Sequence, residues 1–153
     1  PDARLLVVGH DPSGGPYQAH LESIVAEHGL EGAVTFTGRR PDVPRLMAAA
    51  DVFAMPSFEE PFGLVFAEAL AMELPVVALD NGGTREVVVH GQHGLLSAPG
   101  DHGALVANLR TVLTDPELRR QFGTAGRRHV EAAFDVSRMA TDTARTYRLI
   151  ASG

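Results

Sequence analysis

Apolar positions in this chain fall into short continuous blocks that alternate with amphipathic stretches. Residues 5–8, Leu-Leu-Val-Val, form a run of the kind shown by a strand buried on both faces. A turn-rich loop occupies residues 9–16. Residues 17–28 then carry Leu21, Ile24 and Val25 at helical spacing, ended by Gly29. Residues 33–37 predict a second strand closed by Gly38, residues 39–42 a turn, 43–50 a short helix and 51–55 a third strand. From Phe62 to Met72 every position is apolar or Gly except Glu68, which predicts a helix with Pro61 in its first turn. Apolar character on every side predicts that this helix lies inside the domain. Residues 75–79 read as a fourth strand, 84–89 as a helix and 94–98 as a fifth strand. Asp101 caps a helix running to Thr114, and Asp115 starts another that reaches about Phe134, weakened by Gly123 and Gly126. Residues 135–150 form a last amphipathic helix.

This alternation predicts an α/β fold, a Rossmann-like parallel sheet with helices on both faces. Residues 1–153 read as a single domain whose C-terminal helices span about 101–151. Ligands of such sheets bind in the crevice beyond the carboxyl ends of the strands. Those ends are residues 9–15, 38–42, 57–63 and 80–84, and the candidate chemistry of the chain gathers there.

Glu60 stands at the mouth of the 62–72 helix, whose first N–H groups, at Phe62, Gly63, Leu64 and Val65, favour an anion or a polar ligand. Glu68 needs donors if buried: either a nearby Arg or loop amide, or the hydroxyls of a ligand. Two carboxylates near a helix start that donates N–H groups suit sugar hydroxyls and a phosphate together, hence a nucleotide sugar. Gly82 and Gly83 let a backbone approach a ligand, or make a tight turn. Arg39 and Arg40 belong to a solvated loop, or they line a nucleotide. The loop at 9–16 lacks the spacing of a dinucleotide fingerprint or a P-loop, so it is a weak phosphate cradle. His90, His93 and His102 lack a completing carboxylate or thiolate and read as solvated loop histidines, with no metal expected.

Composition narrows the classes. The 153 residues are 44% hydrophobic, enough for one domain with a core. The absence of Cys excludes disulfides and thiolate metal sites. A net charge of -6 argues against nucleic-acid partners. All 13 basic residues are Arg, so no P-loop or Schiff-base lysine comes from this chain. No apolar run approaches the ~20 residues of a membrane span. A cytoplasmic protein is the expectation.

Glu60 and Glu68 flank seven residues, with Pro61-Phe62-Gly63 directly after the first. Val34-Thr35-Phe36-Thr37-Gly38 lies upstream. Downstream come Pro75-Val76-Val77, Gly82-Gly83, Glu86-Val87-Val88, Gly94-Leu95-Leu96 and Pro99-Gly100-Asp101. This ordered set, covering nearly the whole chain, resembles the C-terminal, donor-binding domain of family 4 (group 1) glycosyltransferases, retaining enzymes of the GT-B fold. The resemblance implies that Glu60 meets donor hexose hydroxyls near the reacting centre, and that Phe62, Gly63, Leu64 and Val65 offer N–H groups to sugar and diphosphate. It further implies that Glu68 holds the ribose, that Gly38, Arg39, Arg40 and Pro41 border the base, and that Gly82 and Gly83 shape the crevice floor. The donor is a nucleoside-diphosphate sugar, and no cofactor or metal is implied.

The chain departs from the family pattern at Glu73, where Gly is usual, and at Arg85, where Pro or a small residue is usual. The family's first strand and helix, carrying a diphosphate-gripping Arg and Lys, have no counterpart here, and neither does the N-terminal acceptor domain. The expectation is therefore a fragment-like domain, inactive alone, whose acceptor half comes in cis or in trans. The missing strand would pair with residues 5–8, and a homo-oligomer through that open edge is a further expected partner. A GT-B-like sugar-nucleotide epimerase and a non-catalytic scaffold domain are the alternative functions.

Overall fold

The computed structural model describes residues 3–11, 15–58 and 60–151. The chain divides into two compact units, Pro1–Val43 and Pro44–Gly153. The expected α/β architecture is present as parallel sheets flanked by helices.

The first unit holds β1 (Leu5–Val8), α1 (Pro16–Glu27) and β2 (Val34–Gly38). The two strands pair in parallel with Leu5 opposite Val34, and a register shift between Val7 and Val8 brings Val8 to Gly38. β1 was expected to be buried on both faces. Leu5 and Leu6 are instead 51% and 45% exposed, because β1 pairs with β2 in a sheet of two strands and no residue of α1 is buried. Pro16 sits in the first turn of α1, and Gly29, at φ 65°, ends it while Leu30 N–H reaches back to Val25 O at 2.9 Å.

α2 (Val43–Ala48) starts at the boundary, and the second unit continues with β3 (Phe53–Met55), α3 (Leu64–Ala71), β4 (Val76–Leu79), α4 (Thr84–Val87) and β5 (Gly94–Ser97). Three longer helices complete it: α5 (His102–Thr114), α6 (Pro116–Ala133) and α7 (Val136–Ala151). The sheet order is β3-β4-β5, all parallel, with Val76 opposite both Phe53 and Gly94. As the middle strand, β4 is buried at every residue, as its unbroken apolar run requires. Val77 packs with Val112 of α5 and Phe122 of α6, and Leu95, Leu105, Leu109 and Leu118 close around them.

The caps read from sequence hold. Asp101 accepts from Ala104 N–H at 2.8 Å and Asp115 from Leu118 N–H at 2.9 Å. Arginine closes the opposite ends of helices. Arg119 donates to Val112 O and Leu113 O at the end of α5, Arg127 to Ala71 O at the end of α3, and Arg138 to Ala132 O near the end of α6. Such guanidinium groups satisfy the last carbonyls and complement the negative end of the helix dipole.

Two expectations about helices need correcting. Gly123 and Gly126 are contact points rather than weak places in α6. A Cβ on Gly123 would lie 2.2 Å from Glu73 O, and one on Gly126 would lie 2.6 Å from Leu70 Cδ2. Their missing side chains let α6 lie against α3. The helix at 62–72 is shorter and less enclosed than its composition suggested. α3 buries Phe66, Ala69 and Leu70, whereas Leu64 is 69% exposed and Glu68 faces outward. Eight residues make only two turns, so one side alone reaches the sheet and α6.

Candidate functional site

The carboxyl ends of β3 and β4 place two loops together in the second unit. The first, residues 56–63, leads into α3; the second, residues 80–83, leads into α4. Gly83 N–H donates to Glu60 O at 2.9 Å. A Cβ on Gly82 would stand 2.3 Å from Glu60 O, and one on Gly83 would stand 2.5 Å from Phe62 Cα. Only glycine allows this approach. Gly82 and Gly83 were read as letting a backbone approach a ligand or as making a tight turn; the close approach they allow here is to the backbone of Glu60, Pro61 and Phe62.

Sequence reasoning passed over Asn81. Its Nδ2 donates to Ser57 O at 2.9 Å and to Phe58 O at 2.6 Å, fastening the loop two residues ahead of the Gly83 contact. The available signal was an amide side chain directly before two glycines at a strand end. The long reach back to residues 57 and 58 has no mark in sequence.

α3 begins at Leu64, behind Gly63 in the left-handed region at φ 85°. Pro61 therefore lies ahead of the helix rather than in its first turn, and the free donors shift from residues 62–65 toward Leu64 and Val65. The cause is the turn at Gly63: a Cβ there would stand 2.4 Å from the Phe66 ring, and Phe66 N–H already bonds Gly63 O at 2.9 Å. No side chain caps this end of α3. Glu60 is half-buried beside it, Phe62 leans edge-on against Phe134 with ring centroids 5.9 Å apart, and Val65 is half-buried.

Glu68 is exposed on α3, so neither an Arg nor a loop amide encloses it. It lines an open groove of about 720 Å³ with Phe62, Leu64, Phe134 and Met139. Glu131, Asp135 and Asp142 line the same groove against Arg138. Glu131 is paired with Arg127 at 2.8 Å, which leaves Glu68, Asp135 and Asp142 with the one guanidinium of Arg138, a poor host for a diphosphate. The uncapped start of α3 offers an anion a better place.

The remaining candidates lie in the first unit. Gly38, at φ 65°, ends β2 and is followed by Arg39, Arg40 and Pro41, all three exposed. Arg40 spends its fork on Asp42, with Nε to Oδ1 at 2.8 Å and Nη2 to Oδ2 at 2.7 Å. This hydrogen-bonded pair raises the Arg40 pKa and lowers that of Asp42. The loop before α1 is already supplied with an anion: Asp11 Oδ2 accepts from Tyr17 N–H at 2.8 Å and Gly15 N–H at 3.2 Å. That capping occupies the donors a phosphate would need. Pro12, Ser13 and Gly14 of this loop lie outside the described residues.

His93 is not the solvated histidine expected. It is 3% exposed, stacks on His129 with centroids 4.5 Å apart, and accepts Val89 N–H on Nδ1 at 3.3 Å. Burial, assisted by the neighbouring His129, lowers its pKa to about 4. His90 is exposed and accepts Leu96 N–H at 3.0 Å, and His102 is exposed at the start of α5. Among the described residues no group of three or more His, Asp or Glu is arranged to hold a metal ion. No helix among them is long and apolar enough to cross a membrane.

Residues 1–129 match the family model described as Glycosyl transferases group 1. The chain is 35% identical over 149 residues to glycogen synthase from Mycobacterium tuberculosis, which covers 96% of this chain and 35% of that protein. It is 37% identical over 134 residues to the sulfoquinovosyl transferase SQD2 of Arabidopsis thaliana, covering 86% of this chain and 25% of that one. Among solved structures, Anabaena HepE in complex with UDP and glucose superposes with a TM-score of 0.90 at 34% identity, over 97% of this chain and 41% of HepE. The chain thus spans about a third of the length of the curated relatives it matches.

Proposed function

The chain belongs to the group 1 glycosyl transferases, and from that premise we propose that it is the part of a retaining glycosyltransferase that binds a nucleoside-diphosphate sugar. The carrying observation is the uncapped start of α3, held beside the fixed loop at Glu60 by Gly82 and Gly83. Leu64 and Val65, with Phe62 and Gly63 just ahead, direct N–H groups and the positive end of the helix dipole at the diphosphate. Glu60 accepts hydrogen bonds from the donor hexose next to the reacting carbon, and Glu68 accepts them from the ribose. Gly38, Arg39, Arg40 and Pro41 border the base.

The intact enzyme passes the glycosyl group to an acceptor hydroxyl with retained anomeric configuration. As the bond from sugar to diphosphate breaks, negative charge grows on the departing phosphate, and fixed donors stabilise it. This chemistry needs no metal and no cofactor. The acceptor-binding half is supplied in cis or in trans, since the matched relatives are about three times as long, and this chain alone does not turn over. The reaction belongs in the cytoplasm. A second copy joined through the open edge of β1 would appear as a dimer in light scattering.

Calorimetric titration with UDP, GDP and ADP and their glucose forms tests the proposal. One nucleotide should bind in preference to the others. Glu68→Ala should weaken it about 10- to 100-fold, as expected for lost hydrogen bonds to a charged acceptor. A folded chain that binds none of the six, or binds equally without Glu68, would refute it.

A further inference from the structure

We propose that Asn81 is a positioning residue for the hexose of the donor. This rests on the donor-binding reading above and deepens it. Asn81 spends both amide hydrogens on consecutive carbonyls, Ser57 O and Phe58 O, while Gly83 N–H takes Glu60 O. Two residues after β4, Asn81 and Gly83, thus hold three carbonyls of the loop that carries Glu60. The clamp is itself rigid: Asn81 N–H donates to Leu79 O at 3.1 Å, and Asn81 O accepts Thr84 N–H at 3.1 Å. It is therefore tied to β4 on one side and to α4 on the other.

The side-chain chemistry is specific. Two carbonyl acceptors close together call for a group with two hydrogens, which an amide has and a carboxylate lacks. This also fixes the orientation of the amide, since the reverse would set its oxygen against both carbonyls. The arrangement leaves Asn81 Oδ1 buried with no hydrogen-bond partner among the described residues. Buried polar atoms are usually paired, and an orphan acceptor is poor design for stability alone. Its counterpart is a loop held in one conformation beside the uncapped start of α3. Glu68 sits on the helix itself and does not depend on this clamp. Loss of Asn81 should therefore impair recognition of the hexose while sparing that of the nucleotide.

The test measures affinity for a nucleoside diphosphate and for its glucose form in the wild-type chain, in Asn81→Asp and in Asn81→Ala. Asn81→Asp keeps the size of the side chain but sets one carboxylate oxygen against both carbonyls in place of Nδ2. The wild-type chain should bind the glucose form more tightly than the bare nucleotide. Both variants should lose about tenfold on the glucose form, the scale of one well-placed hydrogen bond, and less than about twofold on the bare nucleotide. Equal losses on both ligands, no loss on either, or no hexose preference in the wild-type chain would overturn the inference. If the wild-type chain binds neither ligand, the donor-binding reading itself fails. Amide hydrogen exchange then judges the clamp without a ligand: faster exchange at Gly83, whose N–H is bonded to Glu60 O, in Asn81→Ala, with β4 still protected, upholds it, and unchanged exchange overturns it.

Discussion

Glu73 holds φ at 58°, the one positive value among the described non-glycine residues. It follows the last turn of α3 in a Schellman closure: Glu73 N–H reaches Leu70 O and Leu74 N–H reaches Ala69 O, each at 3.0 Å. That position asks for Gly, because a Cβ in the left-handed region costs roughly 1–2 kcal/mol. Glu73 therefore makes the left-handed turn that suits Gly, and its Cβ strains it. Glu73→Gly should stabilise the fold by about 0.5–1 kcal/mol, once the greater freedom of Gly in the unfolded chain is subtracted. Thermal melting should show a rise of about 1–4 °C, and a fall would show that the Glu73 side chain contributes more than its strain removes. At this scale the sequence was informative about residue type and silent about surroundings. Glu68 stood out as the one carboxylate among apolar neighbours, and Glu60 by its place at the start of that stretch. The exposure of Glu68 depends on which side of a two-turn helix meets α6, and that is a tertiary fact.

Elements were more legible than residues. Strand blocks, helical spacing and the caps at Asp101 and Asp115 are local signals, and all five strands and the three long C-terminal helices follow them. Helix starts near glycine were misplaced, since Gly63 turns left-handed and carries Pro61 out of α3. Glycine inside α6 was ambiguous for a related reason. Low helix propensity and close packing leave the same mark in a sequence. The contact of α6 with α3 separates the two by experiment. A methyl group on Gly123 meets the Glu73 carbonyl, which is backbone and cannot step aside, whereas one on Gly126 meets the mobile end of Leu70 first. Gly123→Ala should destabilise by roughly 2–3 kcal/mol despite a propensity gain of about 1 kcal/mol. Gly126→Ala should cost less, about 0–1 kcal/mol, as propensity offsets most of the crowding. Urea unfolding measures both. Stabilisation by either substitution would mean that propensity governs α6 and that the helices can move apart at no cost.

At the scale of each unit, the carboxyl ends of the strands were readable because parallel direction places every βα loop there. How the interior joins distant segments was not readable, and the His93–His129 stack illustrates this. Nothing near His93 in sequence announces a partner thirty-six positions away, yet the pair unites the segment before β5 with α6. Phe134 meets His129 edge-on, and Phe62 meets Phe134 in the same way, so the stack also adjoins the approach to α3. His129 Nε2 is buried without a hydrogen-bond partner among the described residues, and no carboxylate is paired with either ring there. Protonation of His93 thus has nothing to compensate it. Its folded pKa of about 4 lies below the ordinary 6.5, so the unfolded chain binds the proton more readily than the folded one. Stability from this group is complete above pH 6.5, falls as acid is added through that value, and levels off below about 4. One proton limits the slope to about 1.4 kcal/mol per pH unit. Denaturant midpoints measured from pH 8 to pH 4 should show this decline already between pH 7 and 5.5, before most carboxylates titrate. His93→Asn keeps an acceptor for Val89 N–H but does not titrate, so its decline over that interval should be shallower. Parallel curves for the two proteins would mean that His93 is solvated in solution and that the stack does not hold α6 to the segment before β5.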